Sequence, residues 1–338
     1  MKIISKNFKL LTVFLLVLGL TACSDDDDNN LPPAEPMTIV DVAIENNLTS
    51  LAAALEATDL VSTLQSEGPF TVFAPTNDAF SDFLTEANID LSNMTATEIV
   101  TVRNVLFNHV IAGATITSTD LIGAGSGYVS TEAAGVAGNN MSLFYNFTEG
   151  SVVLNGMSTV TTADVTASNG IVHVVDEVIT LPSIVTFATA DPNFSNLVAA
   201  LTADGQPDFV TTLSLPNGVT PTPFTVFAPV NTAFQALLDS NDNWNSVADI
   251  DSDLLTNVLQ HHVITEANVR SEDLSDGMMP TTLEGDMITI NLPGNDGNPA
   301  KITDGAGNTD IDIIAADVQA INGVIHAVET VLLPDTTN

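Results

Sequence analysis

Positive charge is scarce in this chain: six Lys and Arg stand against 42 Asp and Glu in 338 residues, a formal charge of −36. Nucleic acid and anionic lipid headgroups are excluded as partners, because both are held by clusters of cations that neutralise phosphate. Cysteine occurs once, as Cys23, so no internal disulfide exists and a thiol mechanism has no second candidate. Beyond Lys9 the one remaining lysine is Lys301. Aromatic residues make up 5% of the chain, with a single Trp (Trp244) and two Tyr (Tyr128, Tyr145), so a long sugar-stacking cleft is poorly supplied. The Gly-x-Ser-x-Gly elbow, the phosphate loop and the His-Glu-x-x-His zinc motif are missing. No enzyme is indicated and no cofactor or metal is expected; carboxylates are abundant, but no spacing selects a catalytic pair.

What is present begins with an export signal. Lys2, Lys6 and Lys9 precede an apolar run from Leu10 to Leu20, shorter than a membrane span. Leu20-Thr21-Ala22-Cys23 then fits a lipobox, in which small residues before a cysteine permit acylation of its sulfur and cleavage just upstream. Residues 1–22 read as a lipoprotein signal peptide. Residues 23–36, with four consecutive Asp and a Pro-rich end, read as a disordered tether that has no apolar surface to bury. The mature chain keeps Arg103, Arg270 and Lys301 against 42 acids, a formal charge of −39. Such a surface favours cations or cationic partners. A serine and acids directly after the lipidated cysteine resemble the signal that sends some Gram-negative lipoproteins to the outer face of the outer membrane, and read equally as a solvated spacer; the expected location is the outer membrane, with the anchor on Cys23 and the domains exposed at the cell surface.

The rest of the chain is one unit written twice. Phe70 to Phe80 (FTVFAPTNDAF) recurs as Phe224 to Phe234 (FTVFAPVNTAF), nine identities in eleven positions. Asn104-Val105-Leu106-Phe107-Asn108-His109-Val110-Ile111 matches Asn257 to Ile264, and Asn169-Gly170-Ile171-Val172-His173 matches Asn322 to His326. The offset is 154, 153 and 153 for these motifs but 146 upstream, where Leu51 to Leu55 pairs with Leu197 to Leu201. About eight extra residues therefore belong to the second copy, and the Pro- and Gly-rich stretch Leu215 to Pro223 is the expected place. A period this long means two folded domains rather than layers of a solenoid. Their bounds are drawn at 37–182 and 183–335, each closing on Leu-Pro.

Within one copy, apolar spacing from Ile39 to Leu55 predicts one or two amphipathic helices. Phe70 to Phe73 predicts a strand, followed by a helix that Asn77 caps. Thr97 to His109 has helical spacing with Glu98 in the first turn, as the helix dipole prefers. From Ala112 to Val178 short alternations predict strands and tight turns, with Asn169-Gly170 and Asn322-Gly323 as hairpin turns suited to positive φ. Helices first and strands afterwards give an α+β domain.

These motifs in this order, Thr-Val-Phe-Ala-Pro-x-Asn-x-Ala-Phe, a helix ending in His-Val, Asn-Gly-x-x-His and a final Leu-Pro, resemble fasciclin (FAS1) domains, and the resemblance covers almost all of residues 37–335. It implies two tandem FAS1-like domains, each a twisted β-wedge flanked by α-helices, in a surface protein that mediates adhesion and has no catalytic residues. Family members usually carry Tyr before the helix-end histidine, where this chain has Asn108 and His261. In animal relatives that region and a nearby Asp-Ile pair are tied to receptor binding. The matching positions here are His109, His262, Asp164-Val165 and Asp317-Val318, which makes Asp164, Asp317, His109 and His262 the candidate binding residues.

Other features carry plainer readings. His173 and His326 lie in closing strands among apolar neighbours and read as structural. His261 has no histidine counterpart in the first copy and reads as exposed. Asp304 to Asp312 is similar to a calcium loop only loosely, without the order of the EF-hand ligands or its terminal Glu, and reads as an acidic turn. The expected function is cell-surface adhesion or matrix binding to a protein or glycan ligand, bridged by divalent cations; the alternatives are a carbohydrate-active surface enzyme and a structural spacer. Replacing Cys23 with Ser is expected to abolish lipid processing and outer-membrane fractionation. Unchanged processing and membrane association on gel and sucrose gradient would reject the anchor.

Overall fold

The computed structural model describes residues 36–336; the export signal, Cys23 and most of the tether lie outside the described residues. The first domain opens with three short helices, α1 (Ile39–Glu45), α2 (Thr49–Ala57) and α3 (Val61–Leu64). Strand β1 (Phe70–Pro75) follows, then α4 (Asn77–Glu86) and α5 (Ala96–Phe107). Next come β2 (Val110–Ala112), α6 (Ser118–Ala124) and a meander of β3 (Ser126–Ala134), β4 (Asn140–Thr148), β5 (Ser151–Leu154), β6 (Ser158–Ala167) and β7 (Gly170–Val175). Hydroxyl side chains start the helices: Thr38, Thr95 and Thr117 each form a capping box with the acid three residues on, Asp41, Glu98 and Asp120.

The seven strands run in the order β2-β1-β7-β6-β5-β4-β3. Only β1 and β7 are parallel, with Phe70 opposite Gly170 and Phe73 opposite His173. The sheet curls until β3 approaches β2, and every residue of β1 is buried. Alternation along the strand explains this. Val72 and Ala74 point toward the helices and join Leu51, Leu55, Phe80 and Leu106, while Phe73 points the other way and joins Leu143, Leu154 and Val175 inside the curl.

The second domain repeats this plan with α7 (Ile184–Ala190), α8 (Ser195–Leu201), α9 (Phe209–Leu213), β8 (Phe224–Pro229), α10 (Asn231–Asp239), α11 (Ser252–His261) and β9 (Val263–Thr265), and ends with β10 (Thr289–Asn291), β11 (Lys301–Thr303), β12 (Ile311–Ala320) and β13 (Gly323–Val328). Its six strands run β10-β11-β12-β13-β8-β9, again with one parallel pair, β13 on β8. The expected insertion is split. The offset between copies is already 149 where Asn169 and Asn322 bond the equivalent carbonyls of Leu64 and Leu213. Three extra residues thus precede that point and five fall in Leu215 to Pro223.

Two motif asparagines do other work than expected. The cap of α4 is Thr76, whose hydroxyl accepts from Ala79 N–H. Asn77 reaches sideways instead: its Oδ1 accepts from Ser50 N–H at 2.9 Å in the first turn of α2, and its Nδ2 donates to Asn47 O at 2.8 Å. Asn231 does the same for α8 through Asn196 N–H and Pro192 O. Asn169 and Asn322 do close two-residue hairpins, Ala167 pairing Gly170 and Ala320 pairing Gly323, but neither has a positive φ. Each is a staple: Asn169 accepts from Ile39 N–H and donates to Leu64 O and Ser66 O, while Asn322 serves Ile184, Leu213 and Leu215. The glycine that follows is needed for close approach, since a Cβ on Gly170 would lie 2.1 Å from Phe70 O, and one on Gly323 2.2 Å from Phe224 O.

The two domains share a core. Ser183 caps α7 directly after Pro182, and Phe144 of β4, 1% exposed, joins Phe187, Val318, Ala320 and Ala327 of the second domain. Tyr128 packs edge-on to Phe187 with ring centroids 5.6 Å apart and donates its hydroxyl to Asp191 at 2.9 Å. Gln319 N–H donates to Ser142 Oγ at 3.0 Å, and Ile321 N–H to Pro182 O at 2.8 Å. Phe144→Ala is expected to cost about 3–5 kcal/mol and to split one cooperative unfolding transition into two. A single transition at the wild-type midpoint in calorimetry would show that the domains do not depend on this shared side chain.

Candidate functional site

Helix α5 ends at Phe107 and delivers His109 into the interior, 2% exposed. Its Nδ1–H donates to Val105 O at 2.7 Å and its Nε2 accepts Ile179 N–H at 2.9 Å. His262 at the end of α11 repeats this with Val258 O at 2.7 Å and Leu332 N–H at 2.9 Å. Each ring ties a helix end to the closing segment of its domain. Burial pushes both imidazoles down to about 4, against the opposing pull of the carbonyl they bond. Both nitrogens of each ring are spent on backbone groups of the segments they join.

Asp164 and Asp317 sit at bulges of β6 and β12, with φ of 61° and 65°. Aspartate tolerates this left-handed conformation better than most residues. The bulge turns the backbone N–H of Asp164 toward His173 Nδ1 at 3.3 Å, and His173 Nε2–H donates to Ile116 O at 2.9 Å. The carboxylate accepts from Ser118 N–H at 2.9 Å and from the Ser118 hydroxyl, at the start of α6. Partial burial opposes ionisation, but the Ser118 bonds outweigh it and hold Asp164 below the ordinary carboxylate range. In the second copy Asp317 accepts from Ser271 N–H at 2.8 Å and Ser271 Oγ at 2.5 Å, and its N–H faces His326, whose Nε2–H donates to Val269 O at 2.8 Å. Arg270 adds a contact to Asp317 at 3.7 Å. Ser118 and Ser271 were not singled out by sequence, although the repeated Ser-x-Asp of 118–120 and 271–273 marks them.

Access differs between the copies. The Asp164 side chain is 39% exposed and Val165 beside it is half-buried, whereas Asp317 is 23% exposed and Val318 is buried in the shared core. A cleft of about 400 Å³ opens beside that core, lined by Ser126, Tyr128, Phe144, Asp191, Thr232 and Val318. Burial, followed by the charge of Asp191, pushes the Tyr128 phenol up.

His261 is not exposed as expected: it is fully buried, like Asn108 at the same place in the first copy. Asn108 donates to Ile179 O and Thr180 O. His261 substitutes a ring whose Nε2 accepts Gly305 N–H at 3.1 Å and whose Nδ1 faces Glu284 at 3.2 Å. With Asp286, these groups bring three ligand-type atoms within 4.8 Å of one another. The backbone N–H of Gly305 occupies Nε2, which leaves Nδ1 as the nitrogen that faces Glu284. The same logic covers all five histidines. Each has one nitrogen accepting a backbone N–H, which fixes the tautomer and removes that nitrogen as a base or ligand.

The acidic turn likewise spends its carboxylates locally. Asp304 bonds Asn308 and Leu333 N–H, Asp310 pairs with Lys301 at 2.7 Å, and Asp312 serves Asn295. All three basic side chains among the described residues are engaged: Lys301 as above, Arg270 with Asp317 and Glu272, and Arg103 over the Phe107 ring. No helix among the described residues is long and apolar enough to cross a membrane.

Comparison with known proteins matches residues 46–182 and 192–334 to the fasciclin domain. A Synechocystis protein, sll1483, is 42% identical over 147 residues, which is 43% of this chain and 74% of that protein. Human periostin is 28% identical over 284 residues, 83% of this chain; the aligned part spans 30% of periostin. Among solved structures, a FAS1 domain pair from the insect cell adhesion molecule Fasciclin I has the same fold, with a TM-score of 0.50 at 20% identity, covering 87% of this chain and 95% of that one.

The buried histidines set an acid limit. At His109 and His262 the unfolded chain takes up a proton near pH 6.5, but the folded chain refuses it until about 4. Stability is full above pH 6.5 and falls as pH drops through this window, by about 3 kcal/mol per site. Urea unfolding at pH 7.5, 6 and 4.5 is expected to show that decline. His109→Gln, less stable at neutral pH, should flatten it by the share of one site; an unchanged slope would contradict the assignment.

Proposed function

Because the chain belongs to the fasciclin (FAS1) domain family, we propose that it is a non-enzymatic adhesion protein, held on the outer membrane by acyl chains at Cys23 and binding matrix or cell-surface ligands through its paired domains. The observation that carries this reading is the packing of two such domains through Phe144 into one acidic body whose described cations are already engaged. The five histidines support it, since each gives a ring nitrogen to a backbone N–H and so serves the fold. Asp164 with Val165 is the more accessible of the two candidate pairs and is the preferred contact edge.

A body with a formal charge of −39 in its mature form repels other acidic surfaces, and a screening length of about 8 Å at physiological salt leaves close contacts repulsive. Divalent ions bridging exposed carboxylates to anionic glycans or cells remove that repulsion; carboxylate oxygen is a hard ligand suited to Ca²⁺ and Mg²⁺. Beads carrying residues 37–338 are expected to bind anionic glycan or cell surfaces more strongly in roughly millimolar Ca²⁺ or Mg²⁺ at fixed ionic strength. An unchanged bound fraction rejects ion bridging. Release of sugar from polysaccharide would favour a carbohydrate-active enzyme, and no binding to any surface would leave a structural spacer.

A further inference from the structure

We propose that the strip formed by Val165, Ala167 and Val174 on the first domain is a docking site for a protein strand that presents an aromatic side chain, in the way the second domain already receives Phe144. The repeat supplies the argument. Val165, Ala167 and Val174 correspond, at an offset of 153, to Val318, Ala320 and Ala327. In the second domain these three are buried, at 6%, 0% and 6% exposure, in the cluster that contains Phe144 and has Tyr128 packed against it. In the first domain the same three positions are half-buried at the margin of its core. Both copies keep small or β-branched apolar side chains there, each packed on its own core; in the second domain Phe144 completes their cover, and in the first they stay half-buried.

The contacts around Phe144 define what the strip accepts. Beside it, Ser142 Oγ takes the backbone N–H of Gln319; the counterpart of Gln319 is Thr166, exposed on the first domain. The close approach of strand to strand shows at Gly135, where a Cβ would lie 3.1 Å from Ala320 O. A fitting partner therefore carries an aromatic anchor with a hydroxyl two residues before it, on an extended strand without acidic side chains at the contact. The chain's own version of that strand is already seated on its second domain, so the partner is a different protein. Asp164 borders the strip. The inference rests on the adhesive reading and narrows it, giving the edge at Asp164 and Val165 a protein rather than a glycan as its ligand.

The test uses the full chain with labelled valine methyls and, as probe, a synthetic peptide of residues 139–148, which contains Ser142 and Phe144. Saturable shifts at the Val165 and Val174 methyls are expected, at least about tenfold weaker when the peptide carries Phe144→Ala, as for loss of an interface anchor. Val165→Asp in the chain should abolish them, and Val165→Ser, which perturbs the fold less, should weaken them. No saturable shift, or equal shifts with the Ala peptide, overturns the proposal. Shifts at the Val318 methyls instead would mean the peptide competes for the internal seat, and would also overturn it. Because capture of beads on glycan surfaces does not involve this peptide, failure here leaves the adhesive reading standing, and failure of bead binding leaves this site standing.

Discussion

In each domain the first and last strands lie side by side in parallel, and the backbone of one passes so close to the other that Gly170 and Gly323 leave no room for a Cβ. Everything else is arranged around that contact. Parallel strands cannot be joined by a tight turn, so α4, α5, α6 and the meander fall between β1 and β7. The pair is covered on both faces, which separates two apolar clusters and explains why no residue of β1 or β8 is exposed. Asn169 and Asn322 pin the entry to the pair, and the helix-end histidines pin its exit through Ile179 and Leu332.

The polar groups buried around this contact are held almost wholly by backbone partners. A buried imidazole is tolerated because each nitrogen has a defined partner, as at His109 and His262, where one nitrogen donates and the other accepts. The motif histidines of both copies thus tie helix ends and closing strands to the backbone. The position filled by Asn108 in one copy and His261 in the other is served differently: Asn108 bonds the closing segment at Ile179 and Thr180, whereas His261 bonds Gly305 and Glu284 on two other loops.

The sequence made the family, the tandem arrangement and the helix-then-strand order legible because the same contacts had to be encoded twice, and repetition stands out without any partner being known. Local chemistry was also readable, as at Glu98 in the first turn of α5. What misled were residues whose partners are remote. Asn77 looked like a cap and bonds the turn before α2; Asn169 looked like a residue chosen for positive φ and bonds carbonyls 103 and 105 residues away. His261 looked exposed for want of a counterpart, yet its partners are on loops 23 and 44 residues on. Periodicity reports which face of an element is apolar, and it is silent about which distant loop will supply a hydrogen bond. The contact between the domains was hidden for the same reason, since Phe144 reads as one more inward residue of its own sheet.

That contact has a mechanical consequence. With Ser183 capping a helix immediately after Pro182, and Phe144 sunk into its neighbour, the pair has no slack between its halves. Displacing one half strains the packing of the other, so the two answer an applied force as a strut rather than as a hinge.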